Sequence, residues 1–589
     1  MKKRSLSLIL TVLMVLSLIM PCTNAFADTV DVAVPENAGL KWAKKLGTDW
    51  KNAPSAPAVA DDGIIVMSGT TLFKLDPADG SVIKSAAMKS SPSYGTVPAA
   101  IVGGMIVAPL GKGTVQAFDE KTLESKWVYT DALKGQSLSP ILYAGGKLYT
   151  GFWNNEDKDA NFVCIDAATG KLEWSYTVMG GFYWAGAAEV GDHIVIGTDD
   201  GAKGTSGTSS LLSFKKTYVG GEKVEPVSSV SLTGMGDVRS SVTVDNGRVY
   251  FTTKGGYLCS AAVDADTGAI SDLRSKAIGG QSTSTPVVYG DHVYFGAGSG
   301  MTDDGSSGSF VIADKETLEV KNRVELLGYP QCEMLLTTAY LETTGYLYFY
   351  STYNMIPGGI SLIRVKADDV SDARLSELYN AAGYGNYCIS SVAADKNGNL
   401  YYKNDSGNIF CIGVKTVSDF ADVSEKSYYY DAVAWGSAEG IVRGYSDTVF
   451  APDDACTRAQ IVTFLYRYAG SPAVSGECKF TDVSDENYKN AIIWASENGI
   501  ALGYSDTVFA PNDTCTRAQA VTFMHRYMGT HAYDHDRSFT DITGGEYYYG
   551  AVMWAAGRDI TNGFPDGSFR PNDECTRAQI VTFIYRAAA

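Results

Sequence analysis

The chain has 589 residues, enough for about three or four domains at roughly 100 to 200 residues each, so one compact core is excluded. Its 45% apolar and 19% charged residues are ordinary for a folded protein and exclude extensive disorder. The 48 Lys plus Arg residues face 66 Asp plus Glu, a net charge of -18 that disfavours nucleic acid and anionic lipid as partners. With 62 Gly and 36 Tyr, the composition favours short strands and tight turns.

The N-terminus has the order of features found in a secretory signal. Basic residues at positions 2–4 precede an apolar run over 6–20, and the small-residue sequence Ala25-Phe-Ala follows. This run is shorter than the ~20 residues of a membrane span, so we expect cleavage after residue 27; an uncleaved membrane anchor is the alternative. No other segment is apolar and long enough for a span, so no membrane association is expected after cleavage.

The cysteines do not form a disulfide framework. Removal of the signal leaves nine of the 10 cysteines, an odd number spaced singly along the chain. Most of them stand beside aliphatic residues, which predicts small buried apolar side chains. Neither Cys-x-x-Cys nor His-rich spacing occurs, so no metal site is predicted.

Residues 40–415 contain a loose internal repeat with the length of a propeller blade. Each repeat begins with a short apolar phrase, followed by a Gly or Asn turn and a second apolar strand. The last repeat has only about three strands, and residues 40–46 resemble an outer strand, so we expect the N-terminal strand to complete the last blade. An all-β, eight-bladed propeller is therefore predicted over 28–415. The eight phrases start at Pro57, Pro98, Pro140, Ala187, Ser241, Pro286, Thr338 and Ser391.

The phrase Phe162-Val-Cys-Ile-Asp-Ala-Ala-Thr-Gly-Lys-Leu-Glu-Trp174 resembles the pyrroloquinoline-quinone (PQQ) repeat propellers. This quinoprotein-dehydrogenase-like superfamily includes both dehydrogenases and cofactor-free scaffolds, so the resemblance implies the fold without the chemistry. The chain lacks the adjacent Cys pair that the dehydrogenases place over the quinone, and it lacks a recognisable calcium-ligand set. No cofactor and no catalytic residue is therefore predicted.

Loops that lead from the outer strand of one blade to the inner strand of the next carry polar and aromatic side chains to the funnel mouth. Such groups suit a sugar or peptide ligand. They serve equally well to fill gaps between blades, and both interpretations stay open. The candidate ligand-binding residues are Trp50, Tyr94, Tyr183, Trp184, Arg239, Gln281 and Tyr387, with Tyr329 at an equivalent position.

The C-terminal third contains three copies of one unit, predicted as an all-α module over 418–471, 478–530 and 537–589. Helical spacing predicts helices over 430–441 and 457–468 of the first copy, joined by a Gly/Asp/Pro loop. Thr457 and Gln460 form a capping-box pattern. A cation in the first helical turn opposes the helix dipole, so the arginine that follows Thr457 and its counterparts indicate an anionic ligand. The motif Cys-Thr-Arg-Ala-Gln begins at Cys456, Cys515 and Cys575.

With their Phe-x-Asp phrase, Trp-bearing helix and Thr-Arg-Ala phrase, the units resemble S-layer homology (SLH) domains. The resemblance implies a pseudo-threefold assembly that binds pyruvylated secondary cell-wall polysaccharide in grooves between repeats. An arginine can fork onto the ketal carboxylate and an indole can stack on a sugar ring, while core packing and helix capping are the alternative roles. The residues matched to the family's ligand contacts are Asp422, Trp435, Arg458, Asp482, Trp494, Arg517, Asp541, Trp554 and Arg577.

Two departures from the SLH pattern suggest grooves of different strength. The family's Glu is Gln460 in the first copy and Gln in the other two, which keeps the cap and removes a charge. The loop Asp-Gly is present only as Asp566-Gly567, whereas the first two copies have Asp447-Thr448 and Asp506-Thr507.

These features together predict an exported, non-enzymatic surface protein of a Gram-positive-type envelope. Three SLH repeats would hold it on the cell wall or S-layer, and the propeller would act as a binding scaffold for a protein or glycan. The competing hypothesis is a surface enzyme with a propeller active site, either polysaccharide-acting or quinone-dependent.

Overall fold

The computed structural model describes residues 29–588 except 37, 95–96, 156, 200–208, 219–222, 300–306, 415–419, 425, 447, 475 and 529–537. The expected signal segment, residues 1–27, and the loop residue Asp447 lie outside the described residues. Within the part described, no helix combines the length and the apolar character that a bilayer crossing requires.

Two N-terminal strands, β1 (Thr29–Val30) and β2 (Gly39–Lys45), precede a series of four-stranded antiparallel sheets. The chain builds each sheet from its innermost to its outermost strand. The first four sheets contain β3 (Ala58–Ala60), β4 (Gly63–Ser68), β5 (Thr71–Leu75) and β6 (Val82–Ala87); β7 (Ala100–Val102), β8 (Met105–Leu110), β9 (Thr114–Asp119) and β10 (Ser125–Thr130); β11 (Leu142–Ala144), β12 (Lys147–Gly151), β13 (Asp159–Asp166) and β14 (Leu172–Met179); and β15 (Ala188–Val190), β16 (His193–Gly197), β17 (Ser210–Lys215) and β18 (Ser228–Ser231).

Four further sheets complete the series. They contain β19 (Thr243–Asp245), β20 (Arg248–Thr252), β21 (Tyr257–Val263) and β22 (Ile270–Ala277); β23 (Val287–Tyr289), β24 (His292–Gly298), β25 (Gly308–Asp314) and β26 (Val320–Leu326); β27 (Leu335–Thr337), β28 (Tyr346–Thr352), β29 (Ile360–Lys366) and β30 (Asp369–Tyr379); and β31 (Ala393–Ala394), β32 (Leu400–Lys403) and β33 (Asn408–Gly413).

The sheets close into a ring, and the prediction of an eight-bladed propeller is confirmed. The innermost strand β3 of the first sheet contacts both β7 of the second and β31 of the eighth. Strand β2 pairs antiparallel with β33 and supplies the outer strand of the eighth sheet. Strand β1 pairs parallel with β27 and adds a fifth strand to the seventh sheet, a feature that the sequence did not indicate.

The inner strand of the seventh blade begins earlier than predicted. The sequence pattern placed it at Thr338-Ala-Tyr, whereas the strand is Leu335–Thr337, with both leucines buried. The residues after it turn into a short helix, α1 (Leu341–Thr344), which ends at Gly345 with φ of 76°. The prediction was wrong because the Thr338 phrase shares its spacing with the other blades, although tertiary packing buries the residues before it.

Indole rings on outer strands form hydrogen bonds to the neighbouring blade. Trp42 donates from Nε1 to the Pro77 carbonyl at 3.0 Å, and Trp127 does the same to Ala167 at 2.9 Å. Each ring lies over a turn glycine of the next blade, and a Cβ on Gly80 would stand only 2.7 Å from the Trp42 ring. This glycine has φ of 70°, so both the close approach and the left-handed backbone require it.

The C-terminal region contains six helices among the described residues, connected by long loops. These helices hold less than half of residues 420–588, so the prediction of an all-α module is not confirmed. They are α2 (Tyr430–Ala438), α3 (Arg458–Tyr468), α4 (Glu486–Glu497), α5 (Arg517–Met528), α6 (Tyr549–Gly557) and α7 (Arg577–Ala588). The capping box is confirmed: the Thr457 hydroxyl accepts from Gln460 N, and the Gln460 side chain accepts from Thr457 N.

The three repeats form a closed ring of their own. The second helix of each repeat packs on the first helix of the next, so that α3 contacts α4, α5 contacts α6 and α7 contacts α2. At the centre, three backbone hydrogen bonds of 2.8–2.9 Å join Cys456, Cys515 and Cys575 in a cycle. None of the nine described cysteines forms a disulfide and seven are buried, as expected for small apolar side chains. This cyclic arrangement places each repeat boundary in an equivalent environment.

Candidate functional site

The aspartates that recur in the three repeats each hold a loop of their own repeat. Asp482 accepts from Phe509 N at 3.0 Å and Ala510 N at 2.7 Å. Desolvation opposes the charged form, but these backbone donors lower the pKa of Asp482 overall. Asp422 and Asp541 make the same pair of contacts with the residues equivalent to Phe509 and Ala510. The aspartates therefore hold the loop that carries the Phe carbonyl toward the neighbouring repeat.

The three arginines lie across the boundaries between repeats. Arg458 is 3% exposed and donates from Nε to the carbonyl of Phe509 in the second repeat at 3.0 Å. Arg517 makes the equivalent bond to Phe569 in the third repeat, and Arg577 closes the ring with Phe450 in the first, both at 2.9 Å. Burial lowers the pKa of Arg517 from its usual value. Each guanidinium is thus an inter-repeat bond as well as a buried positive charge at the boundary.

The tryptophans pack between helices of adjacent repeats. Trp494 on α4 is 7% exposed and lies 5.6 Å from the Tyr466 ring on α3. Trp554 on α6 has no exposed surface and lies 5.3 Å from His525 on α5. Trp435 is partly buried, with the Tyr585 ring of α7 at 5.4 Å. These contacts give the indoles a packing role, and their sugar-stacking role stays a prediction.

Sequence reasoning missed three aromatic residues that share the boundaries with the arginines. The Arg458 guanidinium lies 4.4 Å from the Tyr504 ring, and Arg577 lies 4.4 Å from Tyr445. Both tyrosines remain 54% exposed. At the boundary between the second and third repeats, Arg517 lies 4.9 Å from the Phe564 ring. The repeat period was the signal that could have found them, since Tyr445, Tyr504 and Phe564 occupy one position of the three copies.

The glutamines connect the helix cap to these exposed rings. Gln460 Nε2 donates to the Tyr445 hydroxyl at 2.9 Å, and Gln519 Nε2 donates to Tyr504 at 3.3 Å. Phe564 has no hydroxyl and cannot accept such a bond. The two boundaries that contain Tyr445 and Tyr504 therefore present a phenol ring with a cation beneath it, an arrangement that can stack on a sugar face and attract a carboxylate. The boundary that contains Phe564 offers the ring without the hydroxyl.

On the propeller, the predicted funnel-mouth residues comprise exposed aromatic residues, residues held within the blades, and a cluster around Tyr183. Trp50 and Tyr94 are 53% and 41% exposed, and their rings stack at 6.4 Å with 15° between planes. Tyr387 is also exposed, at 39%. Gln281 forms a backbone bridge with Gly298. Tyr329 is 1% exposed and donates to Thr283, so it fills the gap between blades instead of facing a ligand.

The third group is a cluster around Tyr183. Its ring contacts Trp184 at 4.8 Å, Trp153 at 4.9 Å and the Arg239 guanidinium at 4.5 Å. Burial raises the pKa of Tyr183, and the nearby Arg239 charge partly offsets this shift. Trp153 was not among the predicted residues, because it belongs to an insertion between the second and third strands of its blade.

Arg239 is held by two buried carboxylates at the edge of a central cavity. Its Nη2 lies 2.7 Å from Asp199 Oδ2 and 3.2 Å from Asp237 Oδ2. The cavity has a volume of about 70 Å³. Thirteen residues line it, including Val97, Trp184, Arg239 and Thr283. Among the described residues, no group of three or more His, Cys, Asp or Glu side chains is arranged to hold a metal ion.

The fold and the repeat boundaries define a β-propeller joined to a cyclic three-repeat module. The S-layer homology domain model matches residues 419–462, 479–521 and 538–581. The model described as outer membrane protein assembly factor BamB matches residues 28–194. The chain therefore carries three SLH repeats and a PQQ-like propeller region.

Relatives share mainly short stretches with this chain. An endoglucanase of Bacillus sp. (strain KSM-635) is 30% identical over 185 residues, which cover 29% of this chain and 19% of that protein. A surface layer protein of Brevibacillus choshinensis is 34% identical over 93 residues, which cover 15% of this chain and 8% of that protein. The crystal structure of BamB from Moraxella catarrhalis aligns with a TM-score of 0.42 and 17% identity over 63% of this chain and 96% of that one.

The chain thus spans less than a fifth of the length of these two relatives. The SLH repeats and the surface proteins among the relatives support an extracellular, cell-wall location.

Proposed function

We propose that this protein is held on the cell wall by its three SLH repeats and displays the propeller as a non-enzymatic binding scaffold. The division follows the expected ranges, with the propeller over 28–415 and repeats over 418–471, 478–530 and 537–589. The observation that carries the proposal is the threefold recurrence of a buried arginine beneath an aromatic ring at each repeat boundary.

The proposed wall ligand is a pyruvylated secondary cell-wall polysaccharide. Its ketal carboxylate would approach the guanidinium, and a sugar ring would stack on the exposed tyrosine. The nine predicted residues would act in two ways: Arg458, Arg517 and Arg577 on the anion, and the aspartates and tryptophans chiefly by shaping the boundary. Since Phe564 lacks a hydroxyl, we expect the boundary with Arg517 to bind most weakly.

A surface enzyme remains the second candidate, because an endoglucanase is among the relatives. The shared segment covers 19% of that enzyme, and the chain carries three SLH matches of its own. We prefer the scaffold because the shared segment leaves most of the endoglucanase without a counterpart in this chain. Turnover in a dye-linked alcohol assay with PQQ and calcium would reverse this preference.

The exposed tyrosines provide the test of the wall-binding boundaries. The double variant Tyr445→Ala/Tyr504→Ala should reduce affinity for purified cell-wall sacculi at least tenfold, because it removes two stacking faces worth about 1 kcal/mol each. Co-sedimentation measures the affinity, and Tyr384→Ala, an exposed propeller tyrosine, serves as the matched control. Sedimentation of the double variant equal to that of Tyr384→Ala would contradict the proposal.

A further inference from the structure

We infer that the propeller face binds an N-acetylated sugar, with the sugar ring on the aromatic cluster and its acetamido group in the central cavity. The inference deepens the proposed function, on which it rests, by assigning a ligand class to the displayed propeller. It draws on four observations: an aromatic surface, strained backbone beneath that surface, the lining of the cavity and the position of Arg239 at its edge.

The aromatic surface extends over several adjacent blades. Trp50 and Tyr94 stack near the junction of the first two blades, and Tyr94 is close enough to Tyr183 to affect its ionisation. Tyr183 in turn contacts Trp184 and Trp153. The apolar C–H face of a pyranose ring stacks well on such rings.

Two of these aromatic residues are held in an unfavourable backbone conformation. Tyr94 has φ of 53° and Trp184 has φ of 59°, in the left-handed region that bulky residues rarely adopt. Both occupy the connection from an outer strand to the next inner strand, where glycine would remove the strain. Such a conformation costs of order 1 kcal/mol or more, and strained residues of this kind cluster at functional sites. The strain at these two positions therefore points to ligand contact.

The cavity beside Trp184 offers both apolar and polar groups to a substituent of a sugar. Its volume is about 70 Å³, and a second cavity of about 280 Å³ adjoins it at Pro98, Glu333 and Ser391. Val97, Pro98, Leu138 and Pro140 form an apolar wall, and Thr283 and Thr285 add hydroxyls. An acetamido group combines a methyl for that wall with a carbonyl and an N–H for the polar side.

Arg239 supplies a donor for the acetamido carbonyl. The residue is 8% exposed and lines the cavity, and its Nε is buried without an acceptor among the residues that the structure describes. This Nε is closed off from the cavity, so a bound carbonyl would meet only the 10% of the Arg239 side chain that is still exposed. Because Asp199 and Asp237 already balance the guanidinium charge, the site favours a neutral acceptor over a carboxylate.

The test uses the full chain and chitotriose, a trimer of N-acetylglucosamine, in isothermal titration calorimetry. We expect saturable binding of chitotriose and at least tenfold weaker binding of cellotriose, which has the same ring geometry without the acetamido group. Trp184→Ala should weaken chitotriose binding at least tenfold and Trp184→Phe should restore most of it. Arg239→Ala should also weaken chitotriose binding, and circular dichroism checks that this variant folds, because the change removes a buried ion pair. Tyr428→Ala, an exposed tyrosine of the SLH region, is the control.

No binding of chitotriose, equal binding of cellotriose, or stronger binding of a glucuronic acid oligomer would each overturn the inference. Unchanged binding by Trp184→Ala would do the same. The two proposals can fail separately when sedimentation is done in saturating chitotriose. Absence of chitotriose binding by the unsubstituted chain with intact sedimentation refutes the sugar site alone, whereas absence of sedimentation with intact chitotriose binding refutes the SLH anchor alone.

Discussion

Replacing Trp554 with alanine is expected to lower the free energy of unfolding of the C-terminal region by about 3–5 kcal/mol. The indole has no exposed surface, and it packs against His525 across the boundary between the second and third repeats. Its Nε1 is buried without a hydrogen-bond partner among the described residues, so the loss comes from packing and not from a broken hydrogen bond. The measurement is urea unfolding followed by the helical circular dichroism signal.

Tyr547→Ala is the matched control for this variant. Tyr547 precedes the same helix but is 70% exposed, so its removal should change the free energy of unfolding by no more than about 0.5 kcal/mol. A similar unfolding midpoint for Trp554→Ala and Tyr547→Ala would contradict the packing role of the indole. It would favour the alternative role of Trp554 as a ligand contact.

The triple replacement of Arg458, Arg517 and Arg577 by alanine is expected to release the chain from sacculi and also to destabilise the repeats. Each arginine is nearly buried and bonds a Phe carbonyl of the following repeat. Hydrogen bonds to charged groups contribute about 1.5–3 kcal/mol each, so the alanine variant loses both the ligand charge and the inter-repeat bonds. A second variant is therefore needed to separate loss of ligand binding from loss of stability.

Lysine at the same three positions provides that separation. It keeps the positive charge but loses the planar fork that matches a carboxylate and the flat face that lies against Tyr445, Tyr504 or Phe564. We expect the triple lysine variant to keep its helical circular dichroism signal and to bind sacculi at least about tenfold more weakly, which corresponds to 1.4 kcal/mol. Full retention of sacculus binding by a folded lysine variant would contradict a role for the guanidinium fork in ligand binding.

Local patterns in the sequence were sufficient for much of this fold. The capping box of Thr457 and Gln460 depends on residues three apart, and the structure contains both of its hydrogen bonds. The glycine turns and blade spacing are also local, and they predicted eight blades. The two-residue strand β1 has too few residues for any periodicity, so its pairing with β27 depends on tertiary contacts.

The candidate sites were less predictable because their residues meet across long stretches of chain. Arg577 and Phe450 lie in different repeats, and only the closed ring brings them together. The motif identified Arg577 as unusual, but it gave no indication of burial. Tyr445 could have been found by comparing copies, whereas the contact of Trp153 with Tyr183 depends on how an inserted loop folds back on its blade.

The most direct test of wall anchoring is sedimentation of the full chain with two preparations of sacculi, one intact and one stripped of secondary polysaccharide by acid. Saturating chitotriose in both assays blocks any contribution from the propeller to binding of peptidoglycan sugars. We predict that the chain pellets with intact sacculi and stays in solution with stripped sacculi. Equal pelleting with both preparations, or no pelleting with intact sacculi, would contradict anchoring through the SLH repeats.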